Sequence, residues 1–178
     1  MPYMKPIIEK FDLFLKSKNL SFQAIIIGGA ALNIMDVTKR TTIDVDFLDP
    51  TIPQDIKDAS ILFATTNPDL ELHPEHWFNN GPISLIRDLP AEWRLRLVTI
   101  FHGKALILET LGKSDLLKTK LYALCDRGRD IDDCVALKPT IIEIEECRAW
   151  VLLGDGNPLW PKRVEEMFSL LKKELKLE

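Results

Sequence analysis

The chain alternates between short, wholly apolar runs and longer amphipathic stretches, which is the pattern of an α/β protein. Residues 24–27 are apolar without alternation, as expected for a short strand covered on both faces. Apolar side chains at helical spacing predict an amphipathic helix over 5–16 and a helix over 29–35 that leaves this strand. Residues 42–48 alternate apolar and polar side chains and predict a second strand, with Ile43, Val45 and Phe47 on one face.

The middle of the chain predicts one more helix and a hairpin, separated by an irregular segment. Residues 53–63 favour a helix, whereas 67–90 are rich in Pro, Asn and Gly and predict an irregular insertion. Residues 95–109 predict a β-hairpin that turns at His102-Gly103.

The C-terminal part predicts helices alone, with Ser114 as the N-cap of the first. They are expected at 115–126, 130–138, 140–153 and 162–177. We therefore predict an α/β (α+β) fold, with an α/β core in residues 1–110 and a helical extension in residues 111–178 that completes the functional site. One compact domain overall is expected from 178 residues of which 46% are hydrophobic.

Composition also restricts the location and partners of the protein. No apolar run approaches the roughly 18 residues of a membrane span, and the first ten residues lack the apolar segment of a signal peptide. Three cysteines without a pairing pattern agree with a reducing compartment and are expected to be core thiols. A net charge of −4 argues against indiscriminate binding of nucleic acid. We predict a cytoplasmic protein with no membrane partner.

The strongest candidate for chemistry lies between the first two strands. Gly28 and Gly29 follow the first strand, where glycine lets the backbone approach a ligand and the N–H groups of the next helix favour an anion such as phosphate. Asp44 and Asp46 are expected to project side by side from the second strand, and adjacent carboxylates repel each other unless a cation lies between them. Mg²⁺ is the expected cation, because it is usually held by one or two carboxylates plus substrate phosphates.

Two other interpretations compete with this one. A lone Asp-x-Asp commonly faces solvent on an edge strand, and a dinucleotide-binding unit also places an acidic residue about 20 positions after its glycines. Residues 28–33, GGAALN, lack the later glycine of G-x-G-x-x-G, and two alternating aspartates are one more than a ribose contact requires. The glycines upstream of the aspartates therefore favour a catalytic site.

Two ordered motifs extend the pattern: KRTTIDVDF at 39–47 and DLLKTKLYALCDRGRDIDD at 115–133, with WFN at 77–79 as a weaker third similarity. In this order the chain resembles the polymerase-beta-like nucleotidyltransferase superfamily, and the second motif resembles the second signature of its AbiEii-like toxin branch. The resemblance implies a nucleotidyltransferase fold, in which a small mixed sheet is flanked by helices. It also implies metal-dependent transfer of a nucleoside monophosphate from an NTP to an acceptor hydroxyl.

The resemblance assigns roles to residues in both motifs. Asp44 and Asp46 are the expected ligands of Mg²⁺ (or Mn²⁺), and with Lys120 and Asp130 they form the catalytic set. The expected substrate-binding residues are Gly28, Gly29, Arg40, Thr41, Thr42, Lys120, Arg127 and Asp133.

Lys120 and Arg127 are seven residues apart, so one helix would present both on the same side toward the β- and γ-phosphates. Asp130 and Asp133 either orient these cations or approach a metal from the opposite wall. Without the first motif, such spacing usually marks a solvated face with weak ion pairs.

Superfamily enzymes usually carry a third acidic residue on a neighbouring strand, and Glu109 is the nearest candidate here. The number of metals therefore stays open, and a non-catalytic nucleotide- or partner-binding module that retains the fold is the alternative function. The AbiEii-like resemblance implies the toxin of a toxin–antitoxin or phage-defence pair, with a cognate antitoxin as partner. It implies tRNA as the acceptor, with a protein hydroxyl as the second choice.

Two further residue types are given structural roles. His73 and His76 have H-x-x-H spacing, but Pro74 breaks a helix there and no further cluster supports zinc, so we expect loop residues. The four tryptophans are expected to serve in packing.

Overall fold

A computed structural model describes residues 3–177 of the chain. The α-helices that it describes are α1 (Met4–Ser17), α2 (Gly28–Ile34), α3 (Gln54–Thr66), α4 (Lys113–Arg127), α5 (Ile131–Ala136), α6 (Ile141–Leu152) and α7 (Trp160–Glu174). The strands are β1 (Phe22–Ile27), β2 (Val45–Asp49), β3 (Phe78–Asn79), β4 (Val98–His102) and β5 (Leu106–Thr110). The chain divides into two compact units: the sheet unit, up to Arg87 together with Arg94–Leu111, and the helical unit, Asp88–Trp93 together with Gly112 onward.

The sheet unit contains one five-stranded sheet in the order β3-β2-β1-β5-β4. Its β1–β5 and β2–β3 pairs are parallel, and its β1–β2 and β4–β5 pairs are antiparallel. The predicted α/β fold with a small mixed sheet flanked by helices is therefore confirmed. Residues 24–27 of β1 are all buried, as predicted for a strand covered on both faces.

An aromatic cluster forms the centre of the core on one face of this sheet. The ring of Phe11 in α1 lies 5.1 Å from that of Phe63 in α3, 5.2 Å from that of Trp77 and 5.1 Å from that of Phe78. The indole N–H of Trp77 donates to the carbonyl of Ser60 at 3.1 Å, so its polar atom is satisfied in the core. Burial of each such side chain stabilises the fold by about 1.5–3 kcal/mol.

Asp12 ties α1 to the turn between β4 and β5. Its buried carboxylate accepts the backbone N–H groups of Lys104 at 3.0 Å, Ala105 at 2.8 Å and Leu106 at 2.8 Å. Burial favours a raised pKa for Asp12, but these three hydrogen bonds and the Lys104 charge outweigh it and hold the pKa below its ordinary value of 3.8. A Cβ at Gly103 would collide with this carboxylate, so the turn requires glycine there.

The helical unit packs around α4, whose side chains Leu117, Leu121 and Leu124 are buried. The prediction of Ser114 as the N-cap of this helix is wrong. The helix begins at Lys113, and its N-cap is Gly112, which has no side chain to cap with. Helix α6, in contrast, begins with a complete capping box.

Two predicted elements differ from the structure near the first motif. Strand β2 begins at Val45, so Asp44 precedes the strand, and the side chain of Ile43 is 45% exposed instead of joining Val45 and Phe47 in the core. The segment 67–90, predicted as an irregular insertion, also contributes the two-residue strand β3. The hairpin at 95–109 is confirmed as β4 and β5. No α-helix in the described part of the chain combines the length and apolar character needed to cross a membrane.

Candidate active site

The junction between β1 and α2 is built against a carboxylate. Gly28, the first residue of α2, has φ +80, a conformation that residues with a Cβ rarely adopt. A Cβ at this position would lie 2.9 Å from Oδ2 of Asp46. Asp46 reaches this place because its register partner in the β1–β2 ladder is Ile27, the last residue of β1. Glycine at position 28 therefore serves both the turn and the close approach of Asp46.

The loop that carries the first motif lies beside Gly29. A Cβ at Gly29 would lie 3.4 Å from Cβ of Thr42 and 3.5 Å from Nη2 of Arg40. Asn33 of α2 holds this loop, because its Nδ2 donates to the carbonyl of Arg40 at 3.3 Å. Its Oδ1 accepts the backbone N–H of Met4 at 2.8 Å. Asn33 is buried because its side chain joins these two segments, a role that the sequence did not reveal.

Asp44 and Asp46 have different local environments. Asp44 is exposed, and its Oδ1 accepts the hydroxyl hydrogen of Thr42 at 2.7 Å. Asp46 is half-buried in the sheet, between β1 and β3. The remaining predicted substrate-binding residue of this loop, Thr41, is exposed. The structure therefore brings both aspartates to the edge where β1 ends and α2 begins, with Asp44 in the loop and Asp46 in the strand.

Two residues that sequence reasoning missed as site residues also lie beside Asp46. Asn79 is its register partner in the parallel β2–β3 ladder, and a Cβ at Gly81 would lie 3.9 Å from Oδ1 of Asp46. Asn79 belongs to the WFN similarity at 77–79, which is the signal that pointed to this segment. The carboxylate of Asp46 is thus flanked by Gly28 at one oxygen and by Gly81 at the other.

The predicted residues of the second motif form a charge cluster in the helical unit. Nζ of Lys120 lies 2.6 Å from Oδ2 of Asp133 and 3.2 Å from Oδ1 of Asp130. The second oxygen of Asp130 lies 3.0 Å from Nη2 of Arg127. The side chain of Lys120 is only 7% exposed, whereas that of Arg127 is 58% exposed. Within this cluster Arg127 is therefore the cation with access to a ligand from solvent, and Lys120 is paired inside the unit.

The two carboxylates of the sheet unit are oxygen donors of the kind that suits a hard cation. Asp44 and Asp46 supply carboxylate oxygens, and the absence of a side chain at Gly28 lets the backbone lie close to the Asp46 carboxylate. Mg²⁺ takes such oxygen ligands and completes its octahedron with water and substrate phosphates. Among residues 3–177, no group of three or more His, Cys, Asp or Glu side chains is placed to hold a metal. Glu109, the candidate for a third carboxylate, accepts a hydrogen bond from Gln23 at 3.3 Å in the sheet.

Other residues with chemical potential have structural roles. Cys125, Cys134 and Cys147 are free and buried, as predicted. Burial raises the pKa of the Cys125 and Cys147 thiols to about 11 and raises that of Cys134 as well, so none is an activated nucleophile. His73 and His76 are exposed and stack their rings with centroids 4.4 Å apart.

Comparison with known protein families agrees with the geometry of the sheet unit. Residues 3–142 match the family described as nucleotidyltransferase of unknown function (DUF6036). This range contains Gly28-Gly29 and both ordered motifs. No curated protein and no solved structure matches the chain. Because the match covers well over half of the residues, the chain belongs to this family of nucleotidyltransferases.

Proposed function

We propose that this protein transfers a nucleoside monophosphate from an NTP to an acceptor hydroxyl in a reaction that depends on Mg²⁺ or Mn²⁺. The observation that carries the proposal is the placement of Gly28 against Asp46. It sets the start of α2, where backbone N–H groups favour an anion, beside a carboxylate that suits a cation. A metal–triphosphate complex contains both charges, so it is the substrate that this arrangement fits best.

Each candidate site residue of the sheet unit has a defined role in this proposal. Gly28 and Gly29 let the triphosphate approach the backbone, and Asp44 and Asp46 hold the metal. When bound, the metal neutralises phosphate charge and lowers the pKa of the acceptor hydroxyl. Arg40 and Thr42, which lie beside Gly29, contact the substrate together with Thr41 of the same loop. The acceptor oxygen forms a bond to the α-phosphorus, the bond to the leaving pyrophosphate breaks, and the acceptor proton is released.

We assign different tasks to the two cations of the second motif. Arg127 is exposed and binds the phosphates, where a fixed positive charge stabilises the departing pyrophosphate. Lys120, Asp130 and Asp133 support Arg127 through the ion pairs of Asp130, which contacts both cations. Two roles were expected for Asp130 and Asp133, namely to orient these cations or to approach a metal. The proposed support corresponds to the first of them.

The acceptor and biological setting follow from the motif resemblance. We propose that the chain is of the AbiEii-like type, acts as the toxin of a toxin–antitoxin or phage-defence pair, and modifies RNA, with tRNA the preferred acceptor and a protein hydroxyl the second. A cognate antitoxin is the expected protein partner. The support for this finer proposal is the DLLKTKLYALCDRGRDIDD stretch at 115–133.

A second candidate function is a non-catalytic module that binds a nucleotide or a partner. It is favoured by the side chains of residues 3–177, among which no three acidic or other metal-binding groups lie together. The buried ion pairs of Lys120 also agree with a structural role for that residue. In this candidate the fold and the nucleotide-binding edge are retained and transfer is lost.

The test is nucleotide incorporation with each α-³²P-labelled NTP, Mg²⁺ or Mn²⁺, and total tRNA. The wild type is compared with the Asp44→Ala/Asp46→Ala pair and with Asp69→Ala, an exposed aspartate outside the motifs. Label on RNA with the wild type and Asp69→Ala, but not with the pair, supports nucleotidyl transfer to RNA. Label on protein redirects the acceptor to a polypeptide. Absence of label, with NTP binding retained by calorimetry, favours the non-catalytic module.

A further inference from the structure

Strand β4 forms one edge of the sheet, because β5 is its only neighbour among the described strands. The strand at the other edge, β3, has two residues, whereas β4 has five. An edge strand presents backbone N–H and C=O groups with which a further strand can pair, and proteins commonly protect such edges by making them short. The edge at β4 is the longer of the two.

The start of β4 is uncovered on both faces. Consecutive side chains of a strand point to opposite faces, and Val98 and Thr99 are both exposed, Val98 to 44%. Ile100 and Phe101 are half-buried and pack against the hydrophobic core of the sheet unit, so they fix the strand in place. A β-bulge between Thr99 and Phe101 bends the strand, so a partner can pair with only a short stretch.

The hairpin turn determines which backbone groups face the open side of β4. Gly103 donates its N–H to the carbonyl of Leu106 at 2.8 Å. Hydrogen-bonded and non-hydrogen-bonded pairs alternate along an antiparallel ladder, so the next pair, His102 with Ile107, is non-hydrogen-bonded. The N–H and C=O of His102 therefore point away from β5, where a further strand would lie.

The segment that contains this edge is positively charged. Residues 94–104, RLRLVTIFHGK, contain two arginines, one lysine, one histidine and no acidic residue, although the whole chain has a net charge of −4. Arg94 lies 2.7 Å from the carboxylate of Asp49. Arg96 and Lys104 are exposed and lie just before and just after β4. The strand thus has a cation near each end.

These charges oppose pairing of β4 with a second copy of itself. Two copies related by a twofold axis would pair antiparallel, and in the register centred on Ile100 the Arg96 of one copy comes opposite Lys104 of the other. Because residues 94–104 contain no acidic residue, no symmetric register of this segment brings opposite charges together. Like charges directly opposite each other are destabilising, whereas an acidic strand would complement the same positions.

We propose that β4 is a docking site for an extended, acidic segment of another protein, which adds to the edge of the sheet as a further strand. Backbone hydrogen bonds to the outward groups of β4 supply the contact, as in other cases of β-strand addition. Val98 gives an apolar contact, and Arg96 and Lys104 select acidic residues near the ends of the segment. This docking needs no nucleotide and is independent of the proposed transfer reaction.

The test measures binding of fluorescein-labelled peptides to the full chain by fluorescence anisotropy. A peptide of alternating Glu and Val is the probe, and the same peptide with Lys in place of Glu is its matched control. We expect the acidic peptide to bind about tenfold more tightly or better, and to lose about tenfold in affinity as the salt rises from about 0.05 M to about 0.5 M. Equal affinities of the two peptides would overturn the proposal.

A third peptide separates strand pairing from simple attraction of charges. The acidic peptide with every backbone nitrogen methylated keeps its charge and lacks all N–H donors, so its affinity should be lower by about tenfold or more. An unchanged affinity would mean that no strand is added.

Two other occupants of this edge are distinguished by further measurements. A basic surface also attracts nucleic acid, so labelled oligouridylate is titrated beside the peptides. Binding of the oligonucleotide without binding of the acidic peptide would assign the surface to nucleic acid and exclude the proposed partner. A dimer in sedimentation velocity whose amides at 98–102 are protected from hydrogen exchange would assign the edge to a second copy instead.

Paired variants locate the site on the protein. Arg96→Glu/Lys104→Glu should weaken binding of the acidic peptide by about tenfold or more. Lys10→Glu/Lys16→Glu makes the same change of charge at exposed residues of α1 and should leave the affinity within about threefold. Equal effects of the two pairs, with folding checked by circular dichroism, would contradict docking at β4. If the first pair does not fold, amide chemical shifts of the wild type decide, and shifts at 98–102 that the acidic peptide leaves unchanged would exclude this edge.

Discussion

Gly28 adopts φ +80 beside Asp46, and a Cβ on Gly28 would lie 2.9 Å from Oδ2 of that carboxylate. We expect Gly28→Ala to be destabilised by about 1–2 kcal/mol from the backbone conformation alone, with a further loss from the contact with Asp46. Incorporation of nucleotide should fall as Asp46 moves. Urea denaturation and the incorporation assay measure the two effects. Gly156→Ala is the control, because nothing lies within 4 Å of its Cβ position; equal behaviour of the two variants would refute the prediction.

The two aspartates of the first motif should both be required for transfer, and Asp44 should be nearly dispensable for folding. We expect Asp44→Asn and Asp46→Asn each to lower incorporation by about two orders of magnitude or more, because each removes charge that the transition state needs. Asp44 is exposed, so the free energy of unfolding of Asp44→Asn should lie within about 0.5 kcal/mol of the wild-type value. Asp69→Asn is the matched control for incorporation. An Asp44→Asn protein as active as this control would exclude Asp44 as a metal ligand.

Lys120 should be required for the stability of the helical unit. Replacing it by Met leaves Asp130 and Asp133 buried without the ammonium that contacts both, and we expect the free energy of unfolding to fall by about 3–5 kcal/mol. Neutralising the aspartates as well, in Lys120→Met/Asp130→Asn/Asp133→Asn, should recover part of this loss. Urea denaturation measures both steps. The exposed Lys173→Met serves as control, and a loss for Lys120→Met no larger than the control's would argue against the buried pairing.

Arg127 should show the opposite behaviour. Its side chain is 58% exposed, so Arg127→Ala is expected to change the free energy of unfolding by less than about 1 kcal/mol. Loss of a phosphate contact should raise the KM for NTP or lower kcat. Arg129→Ala removes a neighbouring exposed arginine and is the matched control. Steady-state kinetics compare the two, and equal kinetic constants would show that Arg127 does not bind the substrate.

The Asp12 carboxylate should make stability depend on pH. Its pKa in the folded protein lies below 3.8, so its contribution is fully present above that value and is lost as the pH falls through the folded pKa. We expect Asp12→Ala to lose about 2–4 kcal/mol at neutral pH, because three backbone N–H groups lose a charged acceptor. Denaturant unfolding at several pH values should show the gap to the wild type narrowing below pH 3.8. A gap that is constant with pH would contradict this role.

The β1–α2 junction and the β4–β5 hairpin follow from the sequence because their signals are local. An unbroken apolar run, a glycine pair and a His-Gly turn each act within a few residues. The start of β2, in contrast, was not predicted correctly from the sequence. The Thr42 hydroxyl donates to Asp44 and keeps that residue in the loop, so the alternating pattern is interrupted before Val45.

The contacts that could not be predicted from the sequence join distant parts of the chain. The acceptor role of Asp12 depends on N–H groups more than 90 residues away, and the place of Asn79 depends on strand pairing across the connection between β2 and β3. Helical spacing correctly places Lys120 and Arg127 on one helix, α4, but does not reveal that Lys120 is buried, because α5 supplies Asp133 through tertiary packing. Burial of this kind is decided by packing and not by periodicity.

Strands β2 and β3 are parallel, and a parallel pair cannot be closed by a tight turn. The chain must first complete the crossover at 50–77, where Phe63 and Trp77 pack against Phe11, before Asn79 can pair with Asp46. Pairing between distant segments is slow, because the loop entropy is lost before the contacts form. The position of the strand that flanks Asp46 therefore depends on the aromatic core, and we expect Phe63→Ala, which leaves a cavity there, to disturb the β2–β3 pair at Asp46 as well as to lower stability.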